Sequence, residues 1–320
     1  MGSWLVDELL KRGHHVISVD SLLGGYERNI NKDCSFVKLD LREKERVMNI
    51  MRGVDVVFHL AAYAAEGQSF FSPMAINDIN VTPMNNLLVA SVNNNLERFV
   101  FTSSMAVYGN QKAPFHEDMP PKPEDPYGVA KTYCEMMLEI FSRTYEFEFN
   151  IIRPHNVYGP KQNIADAYRN VLGIWINRIL RGKPPLIYGD GKQTRAFSYI
   201  EDVVPALANA GVYEKCVNQT VNLGSDEVVT VSEACQTLLN LMGCSLVPEF
   251  AEARPGEVKC AYCSVEKSVR LLNYRTEHTL AKGLKKMVKW AKEVGQQEPT
   301  YTLPLEIAKK APRVWLEKLM

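Results

Sequence analysis

Apolar residues fall into two rhythms along the first half of the chain. Trp4, Leu5, Leu9 and Leu10 share one helical face and Gly13 stands where a helix stops, so residues 3–12 are predicted as a helix. Short apolar runs at 14–20 and 35–39 end at Asp20 and just before Asp40, and read as strands. The helical period returns over 43–51. The continuous apolar run 54–60 has the character of a strand buried on both faces. Helices around 83–94 and over 128–145, with strands at 98–103 and 150–153, continue the alternation. This order predicts an α/β fold, a doubly wound parallel sheet whose ligand site lies at the carboxyl ends of the strands. After Pro154 the rhythm breaks. Pro and Gly cluster at 182–191, and strands at 185–188 and 220–223 alternate with irregular pieces. A smaller C-terminal lobe packed over the mouth of the sheet is expected.

Composition narrows the classes of function. Of 320 residues, 46% are hydrophobic and 23% charged, as in an ordinary globular protein. Lys plus Arg equals Asp plus Glu at 37 each, which argues against a nucleic-acid groove or a polybasic membrane patch. No apolar run approaches the roughly 20 residues of a membrane helix. Asp7 and Glu8 interrupt the first amphipathic stretch, unlike a signal peptide, so a soluble, cytoplasmic protein is expected. Seven cysteines form no disulfide-like pattern; Cys260 and Cys263 make one CxxC without the further ligands zinc needs, and no metal is expected. The sequon at Asn218 is read as incidental.

The chemistry concentrates in two segments. Tyr127 and Lys131 stand four apart on a predicted helix and project from one face, so the ammonium is expected near the phenolic oxygen. A phenol with a pKa of about 10 is a poor base at neutral pH, and a nearby cation makes its phenolate usable. Thr102-Ser103-Ser104 closes a predicted strand at the functional edge of the sheet, where a hydroxyl can share a substrate oxygen with Tyr127. Taken alone, Tyr-x-x-x-Lys is a weak signal, because a solvated helical pair is the commoner explanation. His59 reads as a packing histidine, and His155 as a residue lining the pocket.

Several motifs occur together and in order: Ser103-Ser104-x-x-Val-Tyr-Gly, Pro126-Tyr-Gly-x-x-Lys131, and Arg153-Pro-x-Asn-x-Tyr-Gly-Pro160. Tyr188-Gly-Asp-Gly, Gln193-Thr-Arg195 and Arg254-Pro-Gly-Glu257 follow. The combination resembles the extended short-chain dehydrogenase/reductases, NAD-dependent epimerases and dehydratases, and most of all the UDP-glucose 4-epimerase type. The resemblance spans about residues 2–290. It implies a Rossmann-type NAD domain at 1–153 plus about 195–224, and a sugar-nucleotide lobe at about 154–194 and 225–320. It implies Tyr127 as acid/base, Lys131 as its electrostatic partner and Ser104 as the hydroxyl holding the reacting oxygen. For NAD it implies Gly2, Asp20, Asp40, Leu41, Leu60, Ala61, Ala62 and Asn80, with Tyr127 and Lys131. An acid at the Asp20 strand end accepts ribose hydroxyls and repels a 2′-phosphate, which favours NAD over NADP. For a UDP-sugar it implies Asn156, Arg195 and Arg254 at the diphosphate, and Asn170 and Tyr188 at the uridine. Ala261, seven positions after Arg254, is implied as a small gate that admits N-acetylhexosamines beside glucose and galactose.

Within this family, 4,6-dehydratases carry an Asp-Glu pair after the catalytic hydroxyl, and uronate decarboxylases a Glu. Met105 and Ala106 do no acid/base work, which points to C4 epimerisation. A dehydrogenase or reductase stays open, as does a non-catalytic relative that binds sugar nucleotide and little NAD. Gly2 matches the last glycine of the family's Gly-x-x-Gly-x-x-Gly loop. The central strand and two earlier glycines that would precede it are expected to be missing through a misplaced start or trimmed gene model; a genuinely shortened protein is the alternative. A homodimer is expected through helices 83–94 and 128–145, with Met84, Leu87, Leu88, Met136, Met137 and Ile140 on its seam. Residues 305–319 are amphipathic enough to dock on the body.

Overall fold

The computed structural model describes residues 1–320. The chain runs α1 (Gly2–Lys11), β1 (Ile17–Asp20), β2 (Ser35–Lys38), α2 (Lys44–Ile50), β3 (Val56–His59), α3 (Glu66–Ser69), α4 (Pro73–Asn93) and β4 (Arg98–Thr102). Then come α5 (Pro126–Tyr145), β5 (Glu148–Pro154), β6 (Val157–Tyr158), α6 (Val171–Leu180), β7 (Leu186–Tyr188), β8 (Thr194–Ala196), β9 (Ser198–Tyr199), α7 (Ile200–Ala210) and β10 (Gln219–Leu223). The last part holds β11 (Val228–Thr230), α8 (Val231–Met242), β12 (Glu249–Ala251), β13 (Cys260–Ala261), α9 (Glu266–Leu272), α10 (Leu280–Val294) and α11 (Arg313–Leu316).

Four parallel strands, ordered β10-β5-β4-β3, make the main sheet. β4 is buried at every residue because helices cover both faces. Phe99 and Phe101 point to one side, with Val47, Met84, Leu88 and Leu138 of α2, α4 and α5. Val100 points to the other, with Leu5, Leu9, Val203 and Leu207 of α1 and α7. β1 and β2 pair with each other in parallel and with no strand of the main sheet. The facing edges of β1 and β3 both border one large cavity. The expected both-face burial of 54–60 is therefore corrected: Val56 and Phe58 are only half covered, while Val57 and His59 are buried.

The lobe has its own core, centred on Trp175, Ile176, Leu238, Leu284 and Met287 of α6, α8 and α10. β8 pairs with β11 and β13 there, whereas β10 joins the main sheet. The amphipathic C-terminal segment docks through Trp315, which is 2% exposed among Phe71, Tyr168 and Tyr188.

The helix expected around 83–94 begins ten residues earlier, at Pro73, and carries Pro83 inside it. Proline at the first turn is pre-organised for a helix, and Glu306 supplies the missing acceptors. Its carboxylate accepts the amides of Met74 (2.9 Å) and Ala75 (2.8 Å), 232 and 231 residues away in sequence. Met84, Leu87 and Leu88, expected at a dimer seam, are buried against the sheet instead, because α4 turns that face inward. No helix is long and apolar enough to cross a membrane.

Candidate active site

The catalytic edge is built where β4 ends and α5 begins. Asp125 has extended backbone and its carboxylate accepts the Gly128 amide at 2.8 Å, capping α5 while Pro126 opens the first turn. The cap fixes Tyr127 in the first turn and Lys131 one turn later, both nearly buried and both facing the cavity. Gly128 is required for close approach: a Cβ there would stand 2.7 Å from the Ala106 carbonyl. The Ser104 hydroxyl accepts the Ala106 amide (3.1 Å) and stands near enough to the Tyr127 phenol to favour the phenolate. Ser104, Tyr127 and Lys131 thus meet at one wall, as the sequence predicts.

The Lys131 ammonium donates to the Thr102 carbonyl at 2.8 Å and lies over the Tyr127 ring, 5.8 Å from its centre. Burial lowers its pKa to about 8. The Tyr127 phenol is held well above its ordinary value, first by burial and then by the negative charge of Glu66, against the opposing pull of Arg169. His59 is the packing residue expected: it stacks on Phe101, and burial lowers its pKa to about 3. His155 does not line the pocket. It is wholly buried beside Tyr108 and Phe115, and burial takes it to about 3 as well.

The cavity, about 870 Å³, runs from Asp20, Asp40 and Leu41 past Leu60, Ala61 and Ala62 to Ser104, Tyr127, Asn156 and Asn170. Gly2 and the N-terminal end of α1 open onto it, and the first amides of a helix lack intrahelical acceptors. Lys161 and Arg169 place positive charge beside that end, and Asp20 negative charge. The Asp20 carboxylate accepts the Leu22 amide at 2.7 Å and faces the cavity. Asp40 is gripped by Arg42 (2.7 Å), which holds its carboxyl below the usual range. Small Ala61 and Ala62 leave room along the wall. Anion-binding amides, cations and a strand-end acid around an elongated cleft fit a dinucleotide. Asn80 does not join them: its side chain is 3% exposed and bonds the Tyr63 backbone at 3.0 and 3.3 Å and the Ile76 carbonyl at 2.8 Å. It positions the loop after Ala62, and both of its amide hydrogens are taken up within the protein.

The expected diphosphate residues form a second cluster. Glu257 bridges Arg195 (3.2 Å) and Arg254 (2.9 Å), and the Arg254 guanidinium lies 4.8 Å from the centre of the Tyr188 ring. Asn156 stands at positive φ, donating to the Ala196 carbonyl at 3.0 Å beside this cluster's strand. Asn170, also at positive φ, begins α6 at the cavity rim. Ala261 is corrected: it is 0% exposed, packed with Met105, Val107 and Cys263, and has no surface to gate a pocket. It pairs across β13 and β8 with Arg195, and the strand alternation that exposes Cys260 turns Ala261 inward.

Two groups at the site escape the sequence reading. Glu66 opens α3 and lines the cavity with Tyr127; burial raises its carboxyl above the usual range against the pull of Arg195 and Arg254. Arg169 lies over the Tyr63 ring at 4.7 Å and pairs with buried Asp166 at 2.8 Å. Glu66 carries no signal, being a single acid in an Ala-rich turn; Asp125-Pro126 before a helix was a readable cap.

Residues 1–224 match the model of the NAD dependent epimerase/dehydratase family, and the chain belongs to that family of enzymes acting on nucleotide sugars. It is 31% identical to the UDP-glucose 4-epimerase of Mycolicibacterium smegmatis, over 92% of this chain and 96% of that one. The UDP-glucose 4-epimerase of Thermotoga maritima, solved with UDP-glucose, is 31% identical and superposes with a TM-score of 0.87 over 92% of this chain and 96% of that one. The UDP-glucuronic acid 4-epimerase of Bacillus cereus, solved with UDP-glucuronic acid and NAD, is 28% identical with a TM-score of 0.86 over the same shares. Within the family the chain is UDP-sugar 4-epimerase-like, and NAD is the family's cofactor.

Proposed function

We propose that this chain interconverts the C4 epimers of a neutral UDP-hexose, glucose and galactose, through a transient 4-keto sugar. The observation that carries the reading is the convergence of Ser104 and Tyr127 on a cavity that Asn156 also lines, with the Asn156 amide bonded to the Ala196 carbonyl next to Arg195. Gly2, Asp20, Asp40, Leu41, Leu60, Ala61 and Ala62 are the residues that would hold NAD. Held there, NAD would supply the acceptor and donor of the sugar's C4 hydride. Tyr127 then takes the proton of the sugar's 4-hydroxyl while the C4 hydride leaves, and returns a proton to that oxygen when hydride comes back to the other face. Ser104 holds the reacting oxygen, and Lys131, fixed by the Thr102 carbonyl, keeps a cation behind the ring. Arg195, Arg254 and Asn156 anchor the diphosphate, with Asn170 and Tyr188 at the uridine, so that the keto sugar can turn over without leaving. Met105 and Ala106 offer no acid for dehydration.

The direct test incubates the purified protein and NAD with UDP-galactose and separates the products. UDP-glucose formed without net NADH supports the reading; an unchanged substrate, or a 4-keto-6-deoxy product, overturns it. The same reading includes a homodimer. Val129, Tyr133, Met136 and Ile140 recur along one exposed stripe of α5, with Val89 of α4 also exposed. A solution mass of twice the chain supports this seam, and a monomer at micromolar concentration counts against it.

A further inference from the structure

Residues 300–320 run back and forth between the lobe and the start of α4. The Thr300 amide donates to the Ala165 carbonyl at 2.7 Å, and the Thr300 carbonyl accepts the Ala167 amide at 3.0 Å. The chain then crosses to α3 and α4. There the Leu303 carbonyl accepts the Gln68 amide group (3.1 Å), the Pro304 carbonyl accepts the Ser72 hydroxyl (2.8 Å), and the Ile307 amide donates to the Phe71 carbonyl (3.0 Å). At its end it returns to the lobe, where Arg178 and Arg181 donate to the carbonyls of Leu319 (3.3 Å) and Met320 (3.1 Å). Between these ties α11 carries Trp315. Its ring meets Phe71, next to α4, at 5.9 Å between centres, and Tyr168 and Tyr188 of the lobe at 5.2 and 6.1 Å, all edge to face. The indole N–H is buried without a hydrogen-bond partner, so packing alone holds the ring.

The same ring backs the arginine cluster. A Cβ built on Gly67 of α3 would stand 3.1 Å from an Arg254 guanidinium nitrogen and 3.3 Å from the Trp315 Cη2. Guanidinium and indole edge therefore meet over one α-carbon that only glycine can supply. The Arg254 guanidinium lies on the Tyr188 ring, Tyr188 rests on Trp315, and Glu257 holds the guanidinium from another side at 2.9 Å. An arginine fixed before its ligand arrives has less side-chain freedom to lose on binding. We propose that Trp315 is a positioning residue for the substrate's UDP moiety, setting the Tyr188 ring and the Arg254 guanidinium in the arrangement that receives it. This rests on the UDP-sugar reading above.

The test is a calorimetric titration of UDP into the native protein, Trp315→Ala, Trp315→Phe, Arg254→Ala and the double variant Trp315→Ala/Arg254→Ala. Melting temperature and NAD affinity are measured on the same preparations. Trp315→Ala should weaken UDP by about tenfold or more through the lost pre-organisation. NAD affinity should stay within about twofold, because Trp315 does not line the cavity proposed for NAD. Trp315→Phe keeps a flat ring where no indole hydrogen bond is used, and should bind UDP within about threefold of the native protein. In the Arg254→Ala background, Trp315→Ala should cost less than about threefold more, since the group it positions is gone. UDP affinity unchanged in Trp315→Ala overturns the proposal, as do a loss shared equally by NAD and losses that multiply in full in the double variant. Trp315→Leu, which keeps apolar volume without the flat face, carries the same comparisons should the alanine variant not fold. Failure of the native protein to bind UDP overturns the UDP-sugar reading; native binding with no coupling between Trp315 and Arg254 overturns this proposal alone.

Discussion

Two arginine–carboxylate clusters, one on β5 of the main sheet and one on β8 of the lobe, have opposite fates. Arg153 on β5 grips Glu135 of α5 with two bonds, at 2.9 and 2.6 Å, and its third nitrogen donates to the Tyr108 hydroxyl at 2.8 Å. That hydroxyl donates in turn to Asn222 at 2.7 Å, so the network closes on itself in the core. Both charged side chains are 6% exposed or less. Arg195 and Arg254 share one carboxylate, Glu257, and are 13% and 27% exposed. A closed bidentate pair holds structure, whereas two cations sharing one acid keep donors available for an incoming anion. The Arg of the Arg-Pro-x-Asn motif is thus a brace, and the arginines of the later motifs are the ones placed to meet a ligand.

The comparison can be broken first where it is strongest. Glu135→Ala leaves a buried guanidinium without its carboxylate and should cost about 3–5 kcal/mol of stability, read by denaturant unfolding. Arg254→Ala should cost little stability and weaken UDP binding by about tenfold or more, read by calorimetry. If the two substitutions exchange these signatures, the distinction between brace and anchor is wrong.

A third carboxylate sharpens the picture through pH. Burial, and then the charge of Glu66, push the Asp125 carboxyl up to about 7. Between its ordinary value near 4 and about 7, the folded protein keeps a proton that the unfolded chain has released. This group's contribution to stability is therefore full at low pH, falls as pH rises through that window, and is gone above it. Asn caps a helix as well as Asp and does not ionise. Relative to the native protein, Asp125→Asn should gain stability as pH goes from 5 to 8, measured by thermal melting. A constant difference across that range contradicts the assignment. The smallest effect is expected at Glu306, whose carboxylate caps α4: Glu306→Ala should lose about 1 kcal/mol.

Much of the architecture was legible because local pattern and burial agree. The strands at 98–102 and 219–223 and the helix ending at Tyr145 fall close to their predicted bounds, since apolar period and packing point the same way. The family motifs marked Ser104, Tyr127 and Lys131, and the structure brings them to one wall. What was illegible depends on distance in sequence. The cap from Glu306 comes from 232 and 231 residues beyond the two amides it accepts, and the Pro83 that suggested a helix beginning lies within a helix. Asn80 and Ala261 had plausible motif positions, but only packing reveals that both face inward. Glu66 sits in a turn without periodicity, and only the folded cavity shows it on the wall it shares with Tyr127.

The central claim is that Tyr127 moves the proton of the sugar's 4-hydroxyl. Its most direct test compares native protein and Tyr127→Phe in converting UDP-galactose to UDP-glucose, with melting temperature, NAD content and UDP affinity measured on the same preparations. The account predicts that turnover falls by roughly 10² or more while the other three hold, the usual scale of a lost acid/base group. Turnover undiminished in Tyr127→Phe would contradict it.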